Sequence, residues 1–413
     1  MNRGLIAVLG HDGRVLFATR ILRTFGYGFL SVVLVLYLAA LGLDNLHIGL
    51  LLTLTLVGDA AISLWLTTRA DAMGRRRVLR IGSLLVALAG AAFVATGDFW
   101  VLVAAATIGV ISVNGGEVGP FQAVEQASLS HIVPDRQRTR VFGWYSLIGS
   151  FAAAVGALAA GLLVGALRLA AFSTLDSYRA VVLGYAVVGV VLAIAFGRLS
   201  PRVEVETASL STIAGRLGLH RSRATVVRLS GLFAIDSFGG ALVSQSLVAY
   251  WFNLRYGAQP ELLGAIFFVA NILAGLSALV AARLAVRIGL VRTMVFTHLP
   301  SNVLLILLPL MPTLPLAALV LFLRFSLSQM DVPARQSYIV AVVDPDERSA
   351  AAGVAGIARS VGSAPAPLIA APLLGMAGLS GVPFFIGGGL KILYDLLFYR
   401  LFVGLRPPEE TGH

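Results

Sequence analysis

Cysteine is missing from the 413-residue chain, and lysine nearly so, with Lys391 alone against thirty arginines. The first absence excludes disulfides, thiol chemistry and cysteine-ligated metal. The preference for arginine over lysine hints at a GC-rich bacterial genome. Charge of either sign is also scarce, at 12% of residues, while 58% are hydrophobic and the mean hydropathy is +0.90. A water-soluble fold could not keep that composition off its surface, so lipid is the expected solvent. The six histidines are dispersed, and His47, His131 and His298 do not fall at metal-ligand spacing. With no nucleophile, histidine and acid arrangement either, the expectation is neither an enzyme nor a protein with a metal or cofactor. Glycine runs such as Gly387, Gly388 and Gly389 lack the following lysine and hydroxyl of a phosphate loop and read as close helix packing. The stretch Gly4 to Gly10 is too short for a signal-peptide core and precedes His11, Asp12, Gly13 and Arg14, so it reads as a cytoplasmic tail.

A formal charge of +11 is present, but nucleic-acid binding needs an exposed basic face with aromatic or motif support. The distribution points elsewhere. Arg69, Arg75, Arg76, Arg77 and Arg80 fall in one loop, Arg136, Arg138 and Arg140 in another, and Arg198, Arg202, Arg216, Arg221, Arg223 and Arg228 around a third, all on alternate turns of the chain. The intervening loops hold little beyond Arg168, Arg179 and Arg255. This is the positive-inside bias, which places both termini in the cytoplasm for an even number of crossings.

A bilayer core about 30 Å thick takes roughly 20 apolar residues per helical crossing. Apolar stretches fall at 15–41, 46–68, 78–96, 99–128, 141–166, 178–197, 226–252, 261–282, 291–311, 314–340, 349–377 and 381–404, twelve in all. Because lipid offers backbone amides no partner, these stretches are expected to be helices. The polar interval Ser200 to Arg223 divides them, giving an N-terminal six-helix bundle over 1–199, a cytoplasmic linker over 200–224 with room for an amphipathic surface helix, and a C-terminal bundle over 225–413. The halves repeat one another. Gln126, Val133, Arg138 and Gly143 share one offset with Gln336, Val343, Arg348 and Gly353, and Gly74 and Arg77 match Gly289 and Arg292.

The segment Asp71, Ala72, Met73, Gly74, Arg75, Arg76, Arg77 resembles the loop signature of the major facilitator superfamily, and the Pro-Asp-Glu-Arg loop at Pro345 to Arg348 joins it as a separate feature. With the helix count, the linker and the half-repeat, the resemblance covers essentially the whole chain. It implies an all-α polytopic membrane protein of twelve transmembrane helices in two pseudo-symmetric bundles, with Asp71, Gly74, Arg75 and Arg76 at a cytoplasmic gate. Several positions depart from the family pattern: Thr67 replaces a glycine, Ala72 a basic residue, and Val286 stands where Asp71 would repeat. Ala104, Ala105, Ala106 and Thr107 occupy the place of the arginine common in proton-coupled members, and the fifth helix has no Gly-Pro pair of the antiporter signature.

Ionisable groups at membrane depth cost several kcal/mol and are functional candidates by default. Asp59, Asp236 and Glu117 are the candidate proton-coupling carboxylates; Arg23, Asn114, Glu117, Gln245, Arg324, Gln329 and Arg359 are the candidate substrate-cavity residues. The run Asn114, Gly115, Gly116, Glu117, Val118, Gly119, Pro120 should break the fourth helix, which is tolerated only beside protein or a water-filled route. The competing reading is an internal salt-bridge set, such as Glu117 or Glu125 with Arg20 or Arg23. Lys391 and Asp395, four apart, are expected to neutralise each other.

The leading expectation is a monomeric secondary transporter in a bacterial inner membrane. It would move a small organic solute by alternating access, with proton coupling and export favoured. Intramembrane arginines leave open an organic anion, a phosphorylated metabolite or an anionic lipid as cargo. A non-transporting sensor or assembly factor on the same fold is the third class.

Overall fold

A computed structural model describes residues 3–116, 119–204, 221–344 and 347–404. Glu117, Pro345 and most of the linker, including any surface helix in it, lie outside these residues. The described residues are helices joined by short turns, with no strand among them. The crossings are α1 (Arg3–Ser31, then Leu34–Ala40), α2 (Asn45–Thr68), α3 (Arg75–Ala95), α4 (Phe99–Ile108, then Phe121–Ile132), α5 (Asp135–Leu169) and α6 (Thr174–Gly197) in the first half. The second half has α7 (Arg223–Ala241, then Gln245–Tyr256), α8 (Pro260–Ile288), α9 (Leu290–Leu307), α10 (Leu314–Ser328, then Asp331–Ala341), α11 (Arg348–Ser363, then Ala366–Gly375) and α12 (Val382–Phe402).

Ten of these are long and apolar enough to span lipid, and α1 joins them as a pair of helices bent by 42°. The twelfth, α4, reaches across only by combining two short helices, since ten residues rise about 15 Å. Large side chains such as Leu88, Trp100, Leu162 and Val361 are exposed on the outside of the bundles, as expected where the solvent is hydrocarbon.

The repeat extends into places where the loops gave no signal. Arg23, Phe25, Gly26, Ser31 and Tyr37 of α1 share one offset with Asp236, Phe238, Gly239, Ser244 and Tyr250 of α7. Both helices lose regular geometry in the same stretch of that register, after Ser31 in α1 and three register positions earlier, after Ala241, in α7. Gly74 and Gly289, matched from sequence, both open a helix with positive φ, 91° and 87°, a conformation that glycine adopts without a Cβ penalty.

Within the first half, glycines let helices touch backbone to backbone. A Cβ on Gly28 would lie 2.0 Å from the Ala153 carbonyl oxygen of α5, and one on Gly58 would lie 1.9 Å from that of Thr107 on α4. The halves meet along α5 with α8 and α2 with α11. A Cβ on Gly161 would crowd Pro260, and one on Gly49 would crowd Pro367.

The start of α1, the end of α6, the start of α7 and the end of α12 lie at one end of the molecule, the linker end, and the opposite end is the far end. Among the described residues, the hydrogen bonds seen to join the halves lie toward the far end. Tyr250 Oη donates to Asn45 Oδ1 at 2.9 Å, Arg168 Nη1 to Gln259 Oε1 at 2.7 Å, and Gln245 Nε2 to the Ser31 hydroxyl at 2.8 Å. The Leu368 amide donates to the Thr53 hydroxyl at 3.1 Å. Toward the linker end, a Cβ added at Gly143 of α5 or at Gly353 or Gly356 of α11 would meet no atom within 4 Å.

Candidate functional site

The break in α4 organises the first half's share of the polar route. Gly115 and Gly119 take φ of +67° and +74°, which the sequence permits because both are glycine. An interrupted helix releases backbone groups that must find other partners, and here side chains from three helices supply them. Asp59 Oδ1 on α2 accepts the Gly119 amide at 2.7 Å and the Ser63 hydroxyl at 3.3 Å. Tyr185 Oη on α6 donates to the Val110 carbonyl at 2.5 Å. From α7, in the other half, the Ser246 hydroxyl and amide donate to the Val113 carbonyl at 2.7 and 3.3 Å. Beside this segment Gln245, already joined to Ser31, accepts from Asn271 Nδ2 of α8 at 3.3 Å. Asn114 is exposed at the break.

Deeper toward the linker end, Arg23 of α1 and Glu125 of α4 form a wholly buried pair. Arg23 Nη1 and Nη2 each donate to one Glu125 oxygen at 2.7 Å, and both side chains are 0% exposed. Thr19 donates to Glu125 Oε1 at 3.1 Å, and the Tyr145 hydroxyl donates to Oε2. The Arg23 guanidinium lies 4.7 Å over the Phe121 ring, and that of Arg20 lies 4.5 Å over the Tyr145 ring. Of the salt-bridge pairings open in the sequence, the structure forms this one.

The second half holds its charges differently. Asp236 of α7 receives Lys391 Nζ of α12 on Oδ1 and Arg335 Nη1 of α10 on Oδ2, the latter at 3.1 Å. Arg335 also meets Asp331, one turn earlier, at 3.2 Å. The expected Lys391 and Asp395 pair is replaced by longer-range partners. Asp395 Oδ1 meets His298 Nδ1 of α9 at 2.8 Å and its Oδ2 accepts from Asn302 Nδ2 at 2.8 Å, while Lys391 turns to Asp236. Contacts to other helices win because a buried Lys391 reaches the Asp236 carboxylate directly, whereas Asp395 already has both oxygens occupied.

Arg324 and Arg359 stand near this cluster without a carboxylate in ion-pair range among the described residues. Arg324 Nε is buried and has no hydrogen-bond partner there. Arg359 is exposed, with Nε donating to the Ser237 hydroxyl at 3.3 Å, and Gln329 is exposed on α10.

The predicted gate residues lie at the start of α3. Glu204, beyond the end of α6, accepts the amides of Arg75 and Arg76 at 2.6 and 3.1 Å. Arg75 Nη1 donates to the Val203 carbonyl at 3.4 Å and the Arg76 side chain to that of Gly197. The carboxylate thus occupies the amides of a helix N-terminus that Gly74 leaves open. Nothing is described of the Asp71 side chain.

Asp59 and Asp236 therefore belong to separate clusters, one bracing a broken helix and the other set among cations. Sequence reasoning missed His298, Asn302, Tyr145 and Glu204. Their partners lie in other helices, so no short spacing marks them. One signal was available: the single lysine of the chain falls in the buried cluster.

The family profile of the Major Facilitator Superfamily matches residues 16–367. An uncharacterized membrane protein of Saccharomyces cerevisiae is 29% identical over 95% of this chain and 94% of its own length. Among solved structures, the nucleoside transporter NupG superposes with a TM-score of 0.70 at 14% identity, covering 94% of this chain and 98% of that one. A partially occluded inward-open form of the xylose transporter XylE from E. coli gives 0.73 at 12% identity over 94% and 97%. The human organic anion transporter MFSD10 gives 0.61 at 16% identity over 96% and 100%. At such identities the structures share the fold and nothing narrower.

Proposed function

Because the chain belongs to the Major Facilitator Superfamily, we propose that it is a secondary active transporter of a small organic solute, driven by protons and working by alternating access. The observation that carries this reading is the asymmetry of the contact between halves. Hydrogen bonds tie α1 and α2 to α7 and α11, and α5 to the start of α8, toward the far end, while Asn114, Gln329 and Arg359 from both halves are exposed. The arginine-rich loops 69–80 and 198–228 support a cytoplasmic linker end in a bacterial plasma membrane, and in that orientation this state opens inward. Export is the preferred direction, with Asp71, Gly74, Arg75 and Arg76 as the gate that shuts the cytoplasmic end and Asp59, Asp236 and Glu117 as the first carboxylates to test for coupling.

A second reading has its own support. Arg324 presents a buried Nε with no partner among the described residues, and Arg359 is exposed nearby; a guanidinium there fits a carboxylate or phosphate. An anionic cargo is therefore the favoured class within the transport reading.

The test begins with a thermal-stability panel of nucleosides, sugars, carboxylates and sugar phosphates on the purified protein, since a ligand of the folded state raises its melting temperature. The ligand giving the largest shift is then followed into proteoliposomes with an imposed pH gradient. Accumulation that collapses with the gradient, and is lost in Asp59→Asn or Asp236→Asn, supports the proposal. Purified protein that binds but gives no flux under any gradient points to a sensor instead.

A further inference from the structure

We propose that the lipid-facing seam between α3 and α6, at the linker end, binds one anionic phospholipid, with its phosphate held by arginines and its acyl chains laid along the seam. The proposal is independent of any transported solute and follows from how the two helices pack. They run antiparallel in close contact: a Cβ on Gly90 would lie 2.8 Å from that of Ala186, and one on Gly189 would lie 2.5 Å from the Ala87 amide nitrogen. Beside that contact line each helix presents an exposed stripe in steps of one turn. On α3 it is Arg80, Leu84 and Leu88; on α6 it is Arg198, Ile194 and Val190. At about 100° per residue, both stripes lie to the same rotational side of their contact residues. In antiparallel helices that puts them on one side of the seam. Each stripe therefore starts with an arginine at the linker end and continues apolar into the bilayer for about 12 Å.

The charges converge where the seam reaches the linker end. Arg76, one turn before Arg80, donates its side chain to the Gly197 carbonyl, and Arg80 Nε lies 4.0 Å from where a Cβ on Gly197 would stand. Arg198 follows directly. Arg76 Nε is buried without a hydrogen-bond partner among the described residues, and the exposed side chains of Arg80 and Arg198 have no carboxylate in ion-pair range there. The neighbouring acids are engaged elsewhere: Glu204 accepts the amides of Arg75 and Arg76, and Asp12 accepts the amide and hydroxyl of Ser200. Two exposed guanidinium groups, with a third behind them, thus stand without a counter-ion among the described residues, and their paired N–H donors match the oxygens of a phosphate. The apolar stripes select its source. A free phosphate gains nothing from Leu84, Leu88, Ile194 and Val190, whereas a phospholipid occupies both parts of the seam at once.

The repeat shows that the fold does not require this cluster. Val291 and Val295 stand where Arg76 and Arg80 would recur at the offset of Gly74 and Gly289, and both are buried. A charge that only sets topology needs no particular place in its loop; Arg80 instead lies more than a turn inside α3, on the lipid side. A headgroup bound there braces the start of α3 against the end of α6.

The test counts bound lipids. Purified protein, stripped of lipid in detergent, is titrated with phosphatidylglycerol, phosphatidylcholine or inorganic phosphate and weighed intact by native mass spectrometry. One phosphatidylglycerol per chain is expected at concentrations where the other two leave the protein unliganded. Its affinity should be about fivefold weaker in Arg80→Gln and in Arg198→Gln. It should be unchanged in Arg292→Gln, the exposed arginine that repeats Arg77 in the second bundle. Equal binding of phosphatidylcholine, unaltered affinity in both α3 and α6 variants, or a site filled as readily by inorganic phosphate overturns the proposal. If a variant does not fold, wild-type protein in nanodiscs containing a photoactivatable phosphatidylglycerol reads the place directly. Cross-links should concentrate at 80–88 and 190–198, and cross-links spread evenly over the lipid-facing surface would overturn the assignment as well.

Discussion

Glu125 on α4 receives both terminal nitrogens of Arg23 on α1 at 2.7 Å, with no solvent at either side chain. In the second half, Asp236 takes the place of Arg23 and Arg335 that of Glu125, with 3.1 Å between them. The charges are exchanged and the helix pairing is kept. Each bundle thus fastens its first helix to its fourth through an ion pair, and the second pair is shared with Lys391 and Asp331 as well.

Breaking the first pair should be costly because it strands a buried charge. Arg23→Met or Glu125→Gln is expected to destabilise the protein by about 3–5 kcal/mol, and the double variant Arg23→Met/Glu125→Leu by much less than the two single losses together. Denaturant or thermal unfolding in detergent, run as a double-mutant cycle, measures this. Additive losses would mean that the pair does not act as a unit.

Asp236→Asn should leave Lys391 without its carboxylate and Arg335 with Asp331 alone. Adding Lys391→Met is expected to recover stability, with a coupling energy of about 0.5–3 kcal/mol. Lys391→Arg is a different matter: the bulkier planar head must fit where Nζ donates to Asp236 Oδ1 and to its carbonyl oxygen at 3.3 Å. A melting temperature below that of the wild type is expected, and an unchanged one would show that the site tolerates either cation.

Glycine positions divide sharply. Gly28→Ala places a Cβ where only 2.0 Å separates it from the Ala153 carbonyl oxygen, so α1 and α5 must part, at a cost of about 1–3 kcal/mol or more. Gly353→Ala, with nothing within 4 Å of the new atom, should gain up to about 1 kcal/mol through helix propensity. Melting temperatures of the two variants should move in opposite directions.

Acid dependence is expected at the far end. Asp44, at the start of α2, accepts the His47 amide and meets its ring nitrogen, both at 2.8 Å, and these bonds hold its carboxyl below the usual carboxylate range. A depressed folded value means that the contribution is complete at neutral pH and is lost as pH falls through that value. Asp44→Asn should flatten the acid limb of the stability profile; an unaltered limb would assign it to other groups.

Hydropathy alone revealed the helices, because lipid leaves each segment one way to satisfy its backbone. The interruption of α4 was equally legible, since Asn114 to Pro120 offers neither apolar continuity nor helix propensity. Partner choice was not. Arg23 with Glu125 was one pairing among several, and Lys391 reads locally as a mate for Asp395, four residues away on the same helix. Tertiary packing decided otherwise by bringing α7 and α9 against α12. Neither His298 nor Glu204 had a neighbour in sequence that would mark its role, because its partners sit in other elements. The surroundings of Glu117 and of the Asp71 side chain fall outside the described residues.

The Val113 carbonyl, released where α4 is interrupted, is claimed by Ser246 of the opposite bundle through both hydroxyl and amide. Separating the bundles at that end removes both donors at once and leaves a peptide oxygen without those partners. Only incoming water can replace them. The far mouth therefore opens wet, and solvent entering there is itself part of the latch: dehydrating conditions should hold the molecule shut without touching a single side chain.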